Sequence, residues 1–120
     1  MDQTILNSIK GIILNIIFKH IYSEECVVFL FGSQAEGISD RGSDIDIGLY
    51  CDKPLDNQKL AIIKDEVGEK AKTLRNIDIV DFNSVNDQVF LKEALKRIEI
   101  WHQSNKLKAS FHNFRKRISG

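Results

Sequence analysis

Two short motifs in this chain carry the side chains best suited to chemistry. Gly32-Ser33 directly follows an apolar run, and Asp44-Ile45-Asp46 begins after ten further residues. A glycine permits a tight turn and close approach of the backbone, and a serine hydroxyl can donate a hydrogen bond to a phosphate oxygen. Carboxylate oxygens are preferred ligands of Mg²⁺. The pattern therefore indicates a site for a phosphate-bearing ligand and a divalent metal ion.

The spacing of the two aspartates supports metal binding. Residues 44–50 alternate between polar and apolar side chains and predict a strand, so that Asp44 and Asp46 face the same side with Cα atoms about 6.5 Å apart. Such a pair can contribute to a site for two ions about 3.5–4 Å apart.

The alternative interpretation of the two motifs is an ordinary turn followed by a strand whose aspartates merely face solvent. A calcium loop starting at Asp40 is excluded, since its twelfth position would be Cys51 rather than glutamate.

A third acid is expected on another strand, and two candidates lie in residues 77–82. Asp78 and Asp81 are three positions apart, so they face opposite sides of that strand. Asp78 stands between Ile77 and Ile79, where an acid is costly unless it is paired or binds metal. We therefore favour Asp78 for the site and keep Asp81 as the alternative.

Hydrophobic periodicity predicts three helices and three strands. Isoleucines three and four positions apart predict the first helix, and a run of β-branched and aromatic residues predicts the first strand. The predicted helices cover residues 3–21, 58–75 and 87–102, and the predicted strands cover residues 26–31, 44–50 and 77–82. This order predicts an α+β fold: a small mixed β-sheet with helices packed mainly on one face.

Length and charge predict one domain followed by a basic tail. A chain of 120 residues suits a single compact domain, which we expect over residues 1–105. The first hundred residues hold 12 Lys or Arg and 17 Asp or Glu, whereas the last twenty hold 5 Lys or Arg and no acid. We therefore expect residues 106–120 to form a basic, flexible C-terminal tail. Such a tail either contacts RNA or an acidic partner or is merely solvated.

The remaining composition predicts a cytoplasmic protein. Cys26 and Cys51 match no metal-binding spacing and no disulfide framework, which favours a reducing compartment. The N-terminus has neither the basic segment nor the cleavage site of a signal peptide. Residues 5–21 are rich in isoleucine but too often interrupted by polar residues to span a membrane.

The combined motif resembles the minimal nucleotidyltransferases of the DNA polymerase beta-like superfamily. Members carry Gly-Ser, ten residues, Asp-x-Asp and a further acid on a later strand, which here correspond to Gly32-Ser33, Asp44-Ile45-Asp46 and Asp78. The resemblance extends over roughly residues 25–102. It implies a polymerase beta-like nucleotidyltransferase fold.

The resemblance also implies an activity, cofactors and a partner. It implies transfer of a nucleoside monophosphate, AMP from ATP in the favoured case, with two Mg²⁺ ions bound by Asp44, Asp46 and Asp78. Gly32 and Ser33 would hold the triphosphate, and Asp78 would assist deprotonation of the acceptor hydroxyl. Minimal members are commonly encoded beside a HEPN-domain RNase toxin. In several such pairs they act as its antitoxin by adding AMP to one of its tyrosines.

Two other functions are compatible with the sequence. The chain can be a non-catalytic subunit that neutralises a toxin by binding it, with the acids left as a vestigial nucleotide site. It can also modify a small molecule such as an antibiotic. The aminoglycoside nucleotidyltransferases, however, carry a further helical domain for which these 120 residues leave little room. Transfer to a partner protein is therefore the leading hypothesis.

Overall fold

The computed structural model describes residues 3–36, 44–71, 73 and 76–120, except for the side chains of Ser33 and Glu36. Within these ranges the helices are α1 Gln3–His20, α2 Gly32–Glu36, α3 Asn57–Lys70, α4 Gln88–Ala94 and α5 Lys108–Ser119. The strands are β1 Cys26–Phe31, β2 Ile45–Cys51, β3 Ile77–Asp81 and β4 Glu99–Gln103. The first strand has its predicted bounds, the second is shifted by one residue at both ends, and the third ends one residue earlier than predicted. Helix α3 ends at Lys70 rather than at position 75.

The four strands form one mixed sheet in the order β3-β2-β1-β4. Strand β1 lies at the interior of the sheet and runs antiparallel to both β2 and β4. Strand β3 runs parallel to β2 and forms an edge. Consequently the C-terminal end of β1 meets the N-terminal ends of β2 and β3 at one end of the sheet. The predicted α+β class and mixed sheet are confirmed.

Alternation along the strands gives each face of the sheet its own core. One face presents Val28 and Leu30 of β1 to a core shared with α1 and α3, the two longest helices. The opposite face presents Phe29 and Phe31 to a second core shared with α4 and α5. The prediction placed the helices mainly on one face. The structure instead covers both faces, because both side-chain sets of β1 are apolar and each must be buried.

Helices α1 and α3 are joined by packing and by one charged cluster. Ile13 and Ile17 of α1 are completely buried against the sheet. At the end of α1, Lys19 and His20 each lie 2.7 Å from the Glu66 carboxylate of α3.

No described helix combines the length and the apolar composition needed to cross a membrane.

The predicted helix over residues 87–102 is wrong in its second half. Helix α4 ends at Ala94, and the chain then forms β4, which pairs with the free edge of β1. Trp101 is buried in β4, and its Nε1 donates a hydrogen bond of 2.9 Å to Glu99 Oε2. Apolar residues at helical spacing also suit this turn and strand. Pairing satisfies the backbone groups along the β1 edge, which local periodicity cannot reveal.

The prediction of a flexible C-terminal tail is also wrong. Residues 108–119 form α5, and its Phe111 and Phe114 are only 1% and 8% exposed. Phe111 packs against Phe29, with ring centroids 5.3 Å apart, and the Tyr50 hydroxyl lies 2.8 Å from the Ser110 hydroxyl. The prediction was based on the basic charge of this segment. It did not treat the two aromatic residues as an apolar helical face, although they are three positions apart.

Candidate active site

The sheet register places Asp46 and Asp78 side by side. Asp46, near the start of β2, pairs with Phe31 of β1 on one side and with Asp78 of β3 on the other. Because β2 and β3 are parallel and the two aspartates are direct partners, their side chains point to the same face of the sheet. Neighbouring strands lie about 4.8 Å apart, so the two carboxylates are close neighbours.

Gly32 brings the backbone of the Gly-Ser motif against Asp46. It follows β1 directly, begins α2 and has a φ of +74°, a conformation that side chains disfavour. A Cβ atom at this position would collide with Asp46 Oδ2. Only glycine therefore fits here without rearrangement. The motif begins the short helix α2, and the Ser33 side chain lies outside the described part of the chain.

The three candidate acids form a cluster of negative charge. Asp46 is half-buried, and this burial raises the pKa of its carboxyl above the usual value, as do the charges of Asp78 and Asp44. Asp44 and Asp78 are exposed. None of the three carboxylates makes a hydrogen bond or ion pair with another described residue. A bound cation would offset this repulsion.

The cluster suits a metal ion that shares its coordination with a substrate. Among the described residues, no three His, Cys, Asp or Glu side chains are grouped closely enough to hold a metal ion by themselves. Mg²⁺ is commonly held by one or two carboxylates, with substrate phosphates and water completing its octahedral shell. The adjacent pair Asp46 and Asp78, with Asp44 beside it, meets this requirement with oxygen ligands alone.

Asp81, the alternative third acid, has a structural environment. It is 5% exposed, and its carboxylate accepts hydrogen bonds from Leu55 N at 3.0 Å, Asn83 N at 3.1 Å and Ser84 Oγ at 2.9 Å. It also faces away from Asp78, as the odd spacing predicted. The Asp81 carboxylate thus connects the turn after β3 to the segment before α3 through hydrogen bonds.

A cleft of about 700 Å³ adjoins the acids on the side of β3 and α3. Its walls are formed by Asp44, Lys64, Gly68, Ala71, Thr73, Asn76, Ile77 and Asp78. Lys64 is the cation among these residues, and sequence reasoning did not single it out. Lys64 and Gly68 are four positions apart on α3, the spacing of one helical face, but the sequence alone does not show which face meets the acids.

A second candidate site residue that the sequence analysis did not identify lies in α2. The Gln34 side-chain nitrogen is buried and has no hydrogen-bond partner among the described residues. A buried amide donor normally finds a partner, and its position two residues after Gly32 makes it a candidate ligand-binding group. Arg41, which lies between the two motifs in the sequence, falls outside the described residues.

Comparison with protein families gives one match. The family model described as "Polymerase beta, Nucleotidyltransferase" matches residues 14–106, a span that contains Gly32, Asp44, Asp46 and Asp78. No curated protein is significantly similar to the chain in sequence.

Several solved structures share the fold. A toxin-antitoxin complex with AMP-PNP superimposes with a TM-score of 0.72 at 20% identity, covering 91% of this chain and 85% of the other. The complex of tri-AMPylated Shewanella oneidensis HEPN toxin with MNT antitoxin gives 0.63 at 16% identity, covering 92% and 90%. Spectinomycin adenyltransferase from Enterococcus faecialis with ATP and spectinomycin gives 0.61 at 17% identity, covering 82% of this chain and 56% of that enzyme.

The family match extends over most of the chain, from within α1 to the residues before α5. Its span includes the whole mixed sheet and the paired acids Asp46 and Asp78. The chain therefore belongs to the polymerase beta nucleotidyltransferase family.

Proposed function

We propose that this protein is a Mg²⁺-dependent nucleotidyltransferase that transfers AMP from ATP to a hydroxyl group of a partner protein. The observation that carries the proposal is the direct pairing of Asp46 with Asp78, with the Gly32 backbone against Asp46. The glycine turn and the two carboxylates lie at the same end of the sheet, which supports their roles as a phosphate-binding turn and metal-binding groups. Such proximity suits attack on a phosphate that is bound to metal.

In the proposed reaction the motif residues divide into a phosphate-binding group and a metal-binding group. The backbone at Gly32 and the hydroxyl of Ser33 would hold the triphosphate, and Asp44, Asp46 and Asp78 would hold Mg²⁺. When bound, Mg²⁺ neutralises phosphate charge and makes the acceptor hydroxyl more acidic. Asp78 accepts the hydroxyl proton while the acceptor oxygen bonds to the α-phosphorus. The bond from that phosphorus to the bridging oxygen breaks, and pyrophosphate leaves.

The partner is proposed to be a HEPN-domain toxin encoded nearby, with this chain as its antitoxin. Support comes from the shared fold with the MNT antitoxin that is bound to a tri-AMPylated HEPN toxin. The two described cysteines are free and buried, which suits the reducing conditions of the cytoplasm, where we place the reaction. Inactivation of the toxin would then follow from the added nucleotide.

A small-molecule acceptor is the second candidate. It is favoured by the similarity to spectinomycin adenyltransferase, whose structure contains both ATP and spectinomycin. However, 44% of that enzyme has no counterpart in the matched part of this chain, since the match covers only 56% of it. A protein acceptor accounts for the antitoxin similarities more directly.

The experiment that separates catalysis from simple binding uses Asp44→Asn. Cells expressing the neighbouring HEPN protein would receive either the wild-type chain or this variant, and ATP labelled at the α-phosphate would be added to the purified pairs. We expect the variant to lose both protection and protein-bound label. It should keep its thermal unfolding temperature, because Asp44 is exposed and has no described partner. Protection retained without label would establish a binding-only antitoxin, and label found only in a small molecule would exclude the protein acceptor.

A further inference from the structure

A basic groove lies between α4 and α5, on the face of the sheet to which Asp46 points. It has a volume of about 710 Å³. We call it the α4–α5 groove, with a rim of Lys92, Lys96, Arg115 and Lys116 and an apolar floor of Leu95 and Ile118. No acidic residue is among the described residues that line it. A concave site of this size accommodates a few side chains of a ligand.

Most of the positive charge on the rim is unpaired. Lys96 lies 3.1 Å from the Glu93 carboxylate, and both side chains are exposed. Lys92, Arg115 and Lys116, by contrast, form no ion pair with any residue that the structure describes. Like charges gathered on two packed helices repel one another, and a negatively charged ligand in the groove would remove this repulsion.

Arg115 adds a donor that lacks an acceptor. Its Nε is buried without a hydrogen-bond partner among the described residues, and its guanidinium lies 5.9 Å from the centre of the Phe111 ring. Arg115 also lines the groove. The fork of donors on a guanidinium matches the two oxygens of a carboxylate. Arg115 is therefore suited to bind an acidic side chain.

The floor of the groove favours a protein ligand over a nucleic acid. Leu95 and Ile118 offer contact for an apolar side chain, which a phosphate backbone does not possess. Single-stranded nucleic acids are usually held by stacking of bases on exposed aromatic rings. Phe111 and Phe114 of α5 cannot stack on bases, because they are buried against the sheet.

We propose that the α4–α5 groove docks an acidic segment of the partner protein, one that alternates acidic residues with large apolar residues. This inference rests on the proposed function for the identity of the partner. Helix α4 contacts the catalytic end of the sheet through Phe90, whose ring centroid is 6.0 Å from that of Phe31, the residue paired with Asp46. A segment held in the groove therefore lies on the same face as the carboxylates. Among the residues that the structure describes, the groove shares no lining residue with the cleft beside the carboxylates.

A binding measurement with defined probes tests the groove without requiring catalysis. The probes are a fluorescent twelve-residue peptide of glutamate and leucine, the same peptide with lysine in place of glutamate, and a single-stranded oligouridylate of equal length. They would be titrated into the wild-type chain and into Lys92→Glu/Lys116→Glu at low and at physiological salt. Lys53→Glu/Lys59→Glu is the matched control, since it changes the net charge equally at exposed positions outside the groove.

We expect the acidic peptide alone to bind, with affinity falling tenfold or more in the groove variant and with rising salt, and unchanged in the control. Binding of a fluorescent ATP analogue should be the same in all three proteins. Preferential binding of oligouridylate, no binding of the acidic peptide, or equal loss in the control variant would each overturn the proposal. Since these titrations need no transfer, a failure of the proposed catalysis would leave their result intact and distinguishable.

Discussion

At the residue scale, two aspartates on one strand have different environments. Asp78 is exposed, pairs in register with Asp46 and has no described hydrogen-bond partner. Asp81 is buried and accepts three hydrogen bonds from the turn after β3 and from the segment before α3. Burial and partners, rather than residue type, thus separate a candidate catalytic acid from a structural one.

The pair offers a matched test of this distinction. Asp78→Asn should reduce nucleotide transfer at least about 100-fold, because it removes the proton acceptor and a metal ligand, and should leave stability unchanged. Asp81→Asn should lower the free energy of unfolding by about 1–3 kcal/mol, because an amide NH₂ would face existing donors. Urea unfolding and transfer rates below the unfolding transition would measure both effects. The assignment of Asp78 would be wrong if Asp81→Asn abolished transfer in folded protein while Asp78→Asn did not.

The Gly-Ser and Asp-x-Asp motifs could be found from the sequence because their residues are close together in the chain. Strand alternation and the need for glycine at a tight turn relate Gly32, Asp44 and Asp46 within fifteen residues. Asp78 was favoured over Asp81 because it stands between two isoleucines, yet the structure exposes Asp78 and buries Asp81. What distinguishes Asp78 is its register opposite Asp46, which the sequence alone does not give. Lys64 could not be found this way, since its place in the cleft with Asp44 and Asp78 depends on packing between distant segments. Gln34 was missed because the burial of its side-chain nitrogen is not visible in the sequence.

At the element scale, β4 and α5 complete the sheet and the second core. Strand β4 covers the edge of β1, and α5 covers the aromatic face that includes Phe29 and Tyr50. Both elements were mispredicted, because their partners lie more than fifty residues earlier in the chain. Periodicity and charge report only on the segment in which they occur. The structure of β4 and α5 also depends on the free edge and the apolar face of distant strands, which they cover.

The packing of α5 leads to a stability prediction. Phe111→Ala should lower the free energy of unfolding by about 3–5 kcal/mol, since its ring is 1% exposed and contacts both Phe29 and Tyr50. Asn113→Ala, at an exposed position of the same helix, should change it by less than about 0.5 kcal/mol. Chemical denaturation would measure both. Equal, small effects would mean that the segment does not belong to the folded core.

At the scale of the whole molecule, two cores share one sheet, and the cysteines lie in the α1–α3 core. Cys26 and Cys51 are direct partners across β1 and β2. Burial raises the pKa of the Cys26 thiol to about 11 and that of Cys51 to about 12. The folded state therefore holds both thiols protonated at pH values where an unfolded chain would release their protons. This difference links stability to alkaline pH.

The sign of this linkage gives a testable pH dependence. A folded-state pKa above the unfolded value of 9.0 stabilises the protein below about pH 9, and the contribution is lost as pH rises through 11 and 12. The free energy of unfolding should therefore decline from pH 9 upward. In Cys26→Ala/Cys51→Ala the decline should be shallower, although the variant is less stable overall. Parallel curves for the two proteins, from urea unfolding at each pH, would contradict this account.

The central claim is transfer of AMP to a partner protein, and the intact mass of that partner tests it most directly. The HEPN protein encoded beside this chain would be incubated with the wild-type protein or Asp46→Asn, together with Mg²⁺ and each nucleoside triphosphate in turn. We predict a mass gain of one or more AMP units with ATP, and no gain with the variant or after removal of Mg²⁺. An unmodified partner that still forms a stable complex with the wild-type protein would contradict the claim.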